Sequence, residues 1–452
     1  MGAHTRRPHE GQSLRWWVRH QLWIPPIVGA VVGGCLGVLF VQPPFPIEWV
    51  LSGAAWQATA TEARSALSAV LGIAITSLSI ILSLSMLVVQ NAAGQYSPRL
   101  LRKYLHSAGI RVVIPVFVGT SVYCLVAAHA FGFLSEVERA PRPALGLAML
   151  LLIICEGALV YSVFQTFQIM RVENLVRRVR EDTVDTARTL ERFRARDLPG
   201  APPVCPRTGA VWPLRVQRNG FIVSVNAQAI LDVATTTRLI VHLERAIGEP
   251  VTQGDEVGWL EMEAAAPPSR LESPEALVLR AIRLDRWRDE DRDIALGVRQ
   301  LVDVAIKALS PGINDPYTAV ESVDQMTFLL CELSQLQLGS RVLADASGTP
   351  RVFLRGPTLR DLLLLATDQI LRYGGGEPAV VLRLLRLTAA VGLRMRDAED
   401  RQAAREQLHS ILAVSEQTQR GATSHTLLRR HAEALEQALE GGPWPALPAI
   451  GF

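Results

Sequence analysis

The chain has 452 residues, 49% of them hydrophobic and 20% charged, and a net charge of +3. This length allows a helical bundle in a membrane together with one or two soluble domains, and so small a net charge gives no indication of nucleic-acid binding. The five cysteines are scattered without a CxxC pair, which argues against a disulfide framework and a zinc site, so no metal and no cofactor are expected.

Four apolar segments are each long enough to cross a bilayer of about 30 Å as a helix. They follow a basic N-terminal tail, residues 1–21, in which no cleavage site is evident, so the first segment is predicted to be retained as a span. Arginine and lysine concentrate in this tail, between the second and third segments, and after the fourth. By the positive-inside rule, this pattern predicts an inner-membrane protein with both termini in the cytoplasm. The predicted spans of the domain at residues 22–170 are 22–41, 65–89, 112–133 and 145–169.

The second predicted span carries no charge but has seven hydroxyl side chains. Several of its small residues recur at intervals of three or four, which places them on one face of a helix. These residues are Ser68, Gly72, Thr76, Ser79 and Ser83. One interpretation is close helix packing with the hydroxyls bonded to their own backbone, and the other is the lining of a pore or pathway. Gln90, Asn91 and Gln95 continue this polar face toward a cytoplasmic mouth.

One ionisable residue, Glu156, falls about halfway along the fourth predicted span. A carboxylate at that depth is costly, so it is expected to have a partner, a water-filled cavity or a bound proton. One interpretation gives Glu156 a functional role. The other is a neutral glutamic acid hydrogen-bonded to a neighbouring helix, where Thr76, Ser79 and Tyr123 lie at a plausible depth.

After the fourth span the chain becomes rich in Arg, Asp and Glu. Residues 171–210 are predicted to form a charged helical stalk that continues the fourth span, followed by a Pro-rich linker. Residues 211–263 contain short β-prone runs, and the string GEPVTQGDEVGWLE among them is typical of barrel-sandwich domains related to lipoyl and biotinyl carriers. A carrier function would need a lysine on the hairpin turn. The only lysines in the sequence, Lys103 and Lys307, lie outside this segment, which excludes a carrier function.

Residues 264–452 are predicted to be mainly helical, with the string SPGINDPYTA between two of the helices. Its polar residues are Ser310, Asn314, Asp315 and Thr318. One interpretation of these residues is turn chemistry between helices, because an Asp followed by a Pro is a strong signal for a helix start. The other is a polar site at a helix N-terminus that binds an anion or another protomer.

Two strings, VVQNAAGQYSPRLL at residues 88–101 and GVRQLVDVAIKALSPGINDPYTAVESVDQM at residues 297–326, resemble a bacterial family of predicted membrane proteins. This family is catalogued as domain of unknown function 2254, and the resemblance extends over most of the chain. It implies a four-span inner-membrane protein with a cytoplasmic domain. It implies no activity and supplies no catalytic residues.

The sequence therefore predicts an α-helical integral membrane protein with a cytoplasmic α+β domain, in which a small β barrel-sandwich-like module precedes a helical C-terminal region. Because no HExxH, GxSxG or Walker-type motif is present, we do not expect an enzyme. One expected function is a homo-oligomeric channel or channel-like protein with a cytoplasmic vestibule or regulatory domain. The alternative is a membrane-tethered scaffold or sensor whose cytoplasmic domain binds a partner or small ligand. Expected partners are the lipid bilayer and further copies of the chain, and the sequence does not identify an ion or small-molecule ligand.

Overall fold

The structure is a computed structural model that describes residues 23–41, 56–95, 108–133, 140–192, 194, 211–262, 273–418 and 422–449. The chain divides into two compact units, Met1–Arg171 and Val172–Phe452. The predicted N-terminal tail and Pro-rich linker lie outside the described residues, as do the side chains of Asn91 and Gln95.

The described part of the first unit contains four helices that are long and apolar enough to cross a membrane, which confirms the four predicted spans. They are α1 (Ile24–Val41), α2 (Ala60–Gln95), α3 (Ala108–Phe131) and α4 (Pro143–Met170). α2 starts earlier than predicted because Thr59 and Glu62 form a capping box, in which each side chain accepts the other residue's backbone N–H. Beside this start, β1 (Trp56–Ala58) pairs antiparallel with β2 (Ala140–Arg142).

α1 and α3 contact each other backbone to backbone. A Cβ atom on Gly33 would lie 2.1 Å from the carbonyl oxygen of Gly119, and one on Gly29 would lie 2.4 Å from that of Pro115. Small residues four positions apart allow this close approach, as is common where membrane helices associate. The spacing of Gly29, Gly33 and Gly37 along α1 is the sequence signal for this contact.

The described part of the second unit combines helices with two sheets. Its helices are α5 (Val172–Arg192), α6 (Ala227–Thr237), α7 (Pro274–Arg280), α8 (Ile294–Ala308), α9 (Pro316–Leu333), α10 (Leu359–Gly374), α11 (Pro378–Gly392), α12 (Ala398–Thr418) and α13 (Ala422–Leu439). Its strands are β3 (Val211–Arg215), β4 (Gly220–Val225), β5 (Leu239–Leu243), β6 (Pro250–Val251), β7 (Glu256–Met262), β8 (Ile282–Asp285), β9 (Arg341–Ala344) and β10 (Pro350–Leu354).

The strands form a five-stranded sheet of order β3-β7-β5-β10-β9 and a three-stranded sheet of order β6-β4-β8. Neighbouring strands are antiparallel except for β5 and β10, which are parallel. Both sheets, α6 and α7 contribute to one apolar core. Strands β8, β9 and β10 come from beyond residue 263, so that predicted boundary does not separate strands from helices, and a barrel-sandwich is not confirmed. Local sequence patterns missed these strands because each is at most five residues long and pairs with a partner distant in the chain.

The stalk prediction needs correction, because α5 belongs to the helical core of the second unit. The backbone at Arg171 is extended, so α5 does not continue α4. Val176, Val179 and Val184 are buried on one face of α5, which packs against α8 and α9. A Cβ atom on Gly297 of α8 would lie 2.0 Å from Oγ1 of Thr183, which shows how closely α5 and α8 approach. The many charges of α5 lie on its other faces and obscure this apolar row in the sequence.

Candidate functional site

The small residues that share a face of α2 lie on the side that the described part of the first unit leaves uncovered. Ser68, Gly72, Thr76, Ser79 and Ser83 are all exposed. A Cβ atom on Gly72 would meet nothing within 4 Å. Exposed apolar side chains, including Ile73 and Ile80, flank this row. We call the five residues the outer stripe of α2.

The hydroxyl groups of the outer stripe are largely satisfied within α2 itself. Ser68 donates to the carbonyl oxygen of Arg64 at 2.8 Å, and Thr76 donates to that of Gly72 at 2.9 Å. Ser79 donates to the carbonyl oxygen of Ile75 at 2.9 Å. Such bonds leave a weakly polar surface without unpaired donors at these three positions. The stripe can therefore face another helix, or water, without a large desolvation cost.

The predicted continuation toward a mouth is only partly described. Gln90 is exposed near the end of α2. Asn91 and Gln95 lie on the same helix by their backbone. The proposed mouth therefore stays a prediction.

Glu156 is hydrogen-bonded to α2, but not to a predicted partner. Ser77 Oγ donates to Glu156 Oε1 at 3.2 Å, and Ser77 is 6% exposed. Thr76 and Ser79, which the sequence analysis considered, bond their own backbone. Tyr123 donates instead to the carbonyl oxygen of Ala144 at 2.8 Å.

Ser77 is the residue that sequence reasoning missed. It lies on the buried side of α2, in a second row whose spacing alternates between four and three residues. The row consists of Ala63, Leu67, Val70, Ala74, Ser77 and Ile81, all of them buried. Ser77 is the polar member of this otherwise apolar row, and that pattern could have identified it.

A second polar contact lies beside Glu156. Cys155 Sγ donates to Thr120 Oγ1 at 3.3 Å, and both residues are buried. α2, α3 and α4 thus each contribute a polar group to one layer of the bundle. Among the residues that the structure describes, no group of three or more His, Cys, Asp or Glu could hold a metal ion.

The loop before α9 shows the chemistry of a turn. Asp315 caps α9 by accepting the backbone N–H of Thr318 at 3.1 Å and its hydroxyl at 2.7 Å. Ser310 donates to the carbonyl oxygen of Lys307 at 2.7 Å, and Asn314 has a positive φ of 50°. These contacts support the turn interpretation, because they use the polar groups of Ser310, Asp315 and Thr318 within the loop itself.

The second unit has a cavity of about 740 Å³ between α13 and the segment that follows it. Its described lining residues are Thr426, Leu427, Arg430, His431, Ala434, Pro445 and Pro448. At its wall, Arg386 Nη1 lies 3.2 Å from His431 Nε2 and donates to the carbonyl oxygen of Pro445 at 3.0 Å. Burial, and then the charge of Arg386, lowers the pKa of His431 to about 4. The described cavity wall is therefore mainly apolar, with Arg430 as a cationic group and His431 neutral.

Comparisons with known proteins agree with the membrane helices. A family model described as "Predicted membrane protein (DUF2254)" matches residues 19–390. Uncharacterized proteins of Mycobacterium bovis and Mycobacterium tuberculosis are similar to this chain. Each is 28% identical to it over 402 residues, which cover 88% of this chain and 77% of the relative. No solved structure matches the chain.

Proposed function

The chain belongs to the DUF2254 family of predicted membrane proteins, and we propose that it acts as a homo-oligomeric, channel-like protein of the bacterial inner membrane. The observation that carries this proposal is the outer stripe of α2, an exposed row of small and hydroxyl residues on a membrane helix. In the proposed assembly, the stripes of several copies face a common axis.

The interior of the four-helix unit supports a pathway between copies rather than a pathway within one chain. Two apolar clusters fill the described space between the helices, one centred on Leu67, Tyr123 and Leu145 and the other on Ile81, Phe117 and Cys155. A polar solute would find little to replace its hydration there. A pathway formed between copies would instead use the weakly polar stripe.

Lipid alone is a less suitable neighbour for the outer stripe than a second helix. Gly72 and the serines leave a shallow groove between larger apolar side chains such as Ile75 and Leu82. Small residues of this kind allow close approach between membrane helices, and close packing is what drives their association in lipid.

We place the second unit in the cytoplasm, following the distribution of arginine and lysine, where it would form a vestibule or a regulatory domain. No enzymatic activity is part of this proposal.

Cysteine substitution tests which neighbour covers the stripe. Cys35, Cys205 and Cys331 are first replaced by alanine, which leaves the buried Cys124 and Cys155. Thr76→Cys in this background is compared with Ile153→Cys on α4, where the native side chain is 70% exposed. Thr76 adjoins Ser77 and Ile153 is one turn from Glu156, so the two positions lie at similar depth.

We expect Thr76→Cys to cross-link copies in liposomes, to react with a water-soluble methanethiosulfonate reagent and, once modified, to reduce conductance in planar bilayers. Ile153→Cys should do none of these. Cross-linking without reaction with the reagent and without conductance would mean that the stripe is a subunit interface, and it would overturn the channel. If Thr76→Cys behaves like Ile153→Cys, lipid covers the stripe and the assembly itself is overturned.

The cavity beside α13 favours a second candidate function, a sensor whose soluble unit binds a small ligand. Its volume is in the range of small-molecule sites, and Arg430 would suit an anionic group on an otherwise apolar molecule. Thermal stability of the detergent-solubilised protein is measured with octanoate and, as a charge-reversed control, octylamine. Stabilisation by octanoate that Arg430→Ala removes would support the sensor, and equal behaviour of the two compounds would count against it.

A further inference from the structure

Glu156 and Ser77 form a polar pair that is separate from the outer stripe. Ser77 belongs to the buried row of α2, whereas its neighbour Thr76 belongs to the exposed row. The pair joins α2 to α4 through one hydrogen bond of 3.2 Å. It therefore lies at a helix contact within one chain and does not depend on how copies assemble.

The apolar stretches of the membrane helices offer this carboxyl no opposite charge. In the sequence, residues 24–41, 65–95, 112–128 and 143–170 contain Glu156 and no other Asp, Glu, Lys, Arg or His. The titratable group that the structure places beside it is the buried thiol of Cys155 on α4. α2 contributes the hydroxyl of Ser77, which is neutral.

An ionised carboxylate without a cation is costly within hydrocarbon, whereas a carboxylic acid with a hydrogen-bonding partner is tolerated. A single hydroxyl donor offsets only part of the cost of the charge, because one hydrogen bond replaces the several that water gives to a carboxylate. The ligand that removes the charge and also fits between two packed helices is a proton.

We propose that Glu156 and Ser77 form a proton-binding site inside the membrane unit, which couples protonation to the contact between α2 and α4. With the proton bound, the carboxyl group accepts the hydroxyl of Ser77 and the helices stay packed. When the proton leaves, the carboxylate requires water or a cation, and the packed contact is disfavoured. Alkaline conditions therefore loosen this contact, and acid conditions restore it.

Labelling with dicyclohexylcarbodiimide tests this site, because this apolar reagent reacts with protonated carboxyl groups inside membranes. The full-length protein in liposomes is labelled from acid to alkaline pH, and the adduct on the peptide containing Glu156 is quantified by mass spectrometry. Glu156→Gln removes the reactive group, and Glu156→Asp keeps a carboxyl if the first variant does not fold. Glu62→Gln is the matched control, because Glu62 is an exposed carboxyl that caps the start of α2.

We expect labelling at Glu156 that decreases as pH rises, that Glu156→Gln abolishes and that Glu62→Gln leaves unchanged. Ser77→Ala should change the pH dependence of this labelling, because it removes the hydrogen-bond partner of the carboxyl group. Two results would overturn the proposal: labelling of Glu156 by a water-soluble carbodiimide alone, or a pH dependence of labelling that Ser77→Ala leaves unchanged. Protection by sodium ions rather than by alkaline pH would overturn the proton as the ligand.

Discussion

At the scale of residues, His431 is a buried imidazole that lies beside an arginine. It is 5% exposed, and its Nε2 atom lies against the guanidinium group of Arg386. The same guanidinium group lies 5.1 Å from the ring centroid of Trp444 and donates to the carbonyl oxygen of Pro445. A neutral imidazole accepts a hydrogen bond from Arg386, whereas a protonated one would repel it. The C-terminal segment is thus held through an arginine whose partner must stay uncharged.

This arrangement predicts a loss of stability in acid. The pKa of His431 falls to about 4 in the folded protein, against about 6.5 in an unfolded chain. Between these two pH values the unfolded chain binds more protons than the folded chain. The contribution of His431 to the free energy of unfolding is therefore fully present above about pH 6.5 and decreases as the pH falls toward 4. His431→Asn keeps an acceptor but does not titrate. In this variant, the loss of unfolding free energy in acid should be smaller than in the wild type by at most about 3 kcal/mol.

Pulse proteolysis of the full-length protein in urea, at several pH values, measures this effect on the second unit. His409→Asn is the control, because His409 is exposed and bonded to the side chain of Glu436. The control should keep the pH dependence of the wild type. If His431→Asn also keeps it, His431 is not the group responsible.

At the scale of elements, glycine spacing decides how two membrane helices meet. α1 has the adjacent residues Gly33 and Gly34, which differ in what a side chain would contact. A Cβ atom on Gly33 would clash with the backbone of Gly119, whereas one on Gly34 would lie 3.7 Å from a methyl group of Val122. The first contact cannot relax without moving a helix, and the second is an ordinary van der Waals distance.

Gly33→Ala is therefore expected to destabilise the membrane unit by about 1–3 kcal/mol, as overpacking in a tight contact does. Gly34→Ala should have little effect. Both variants carry the same added methyl group on the same helix, so the comparison isolates the contact with α3. Their melting temperatures in detergent provide the measurement, and equal melting temperatures would show that α1 and α3 do not meet at Gly33.

At the scale of the whole molecule, each unit has its own apolar core. The second unit contains the core shared by its two sheets and a helical core around α11, in which Leu382, Leu384 and Leu385 are fully buried. α5 closes part of this helical core by packing on α8 and α9. A domain with a complete core of its own is expected to fold alone.

We expect a fragment of residues 172–452 to fold without the membrane unit, with cooperative thermal unfolding and mixed helix and strand signals by circular dichroism. A fragment of residues 211–452, which lacks α5, should lose cooperativity or aggregate because it exposes the apolar faces of α8 and α9. Equal stability of the two fragments would contradict the assignment of α5 to the core and support the stalk that the sequence suggested.

The sequence by itself determined the four membrane helices, the row of small residues that share one face of α2, and the helix start at Asp315. These features depend on local properties: hydropathy over about 20 residues, helical periodicity, and capping by an aspartate before a proline. These features therefore do not depend on how the helices pack against one another. The resemblance to the DUF2254 family, which the family model confirms, was also contained in the sequence strings alone.

Only the tertiary structure decided which side of α2 stays uncovered and which hydroxyl meets Glu156. Thr76 and Ser77 are adjacent and chemically alike, but the packing of α3 and α4 covers one and leaves the other exposed. The apolar face of α5 and the pairing of β5 with β10 were hidden for the same reason, since their partners lie far away in the chain. Local patterns specify a face of a helix or strand, and only the packing of distant segments specifies what that face contacts.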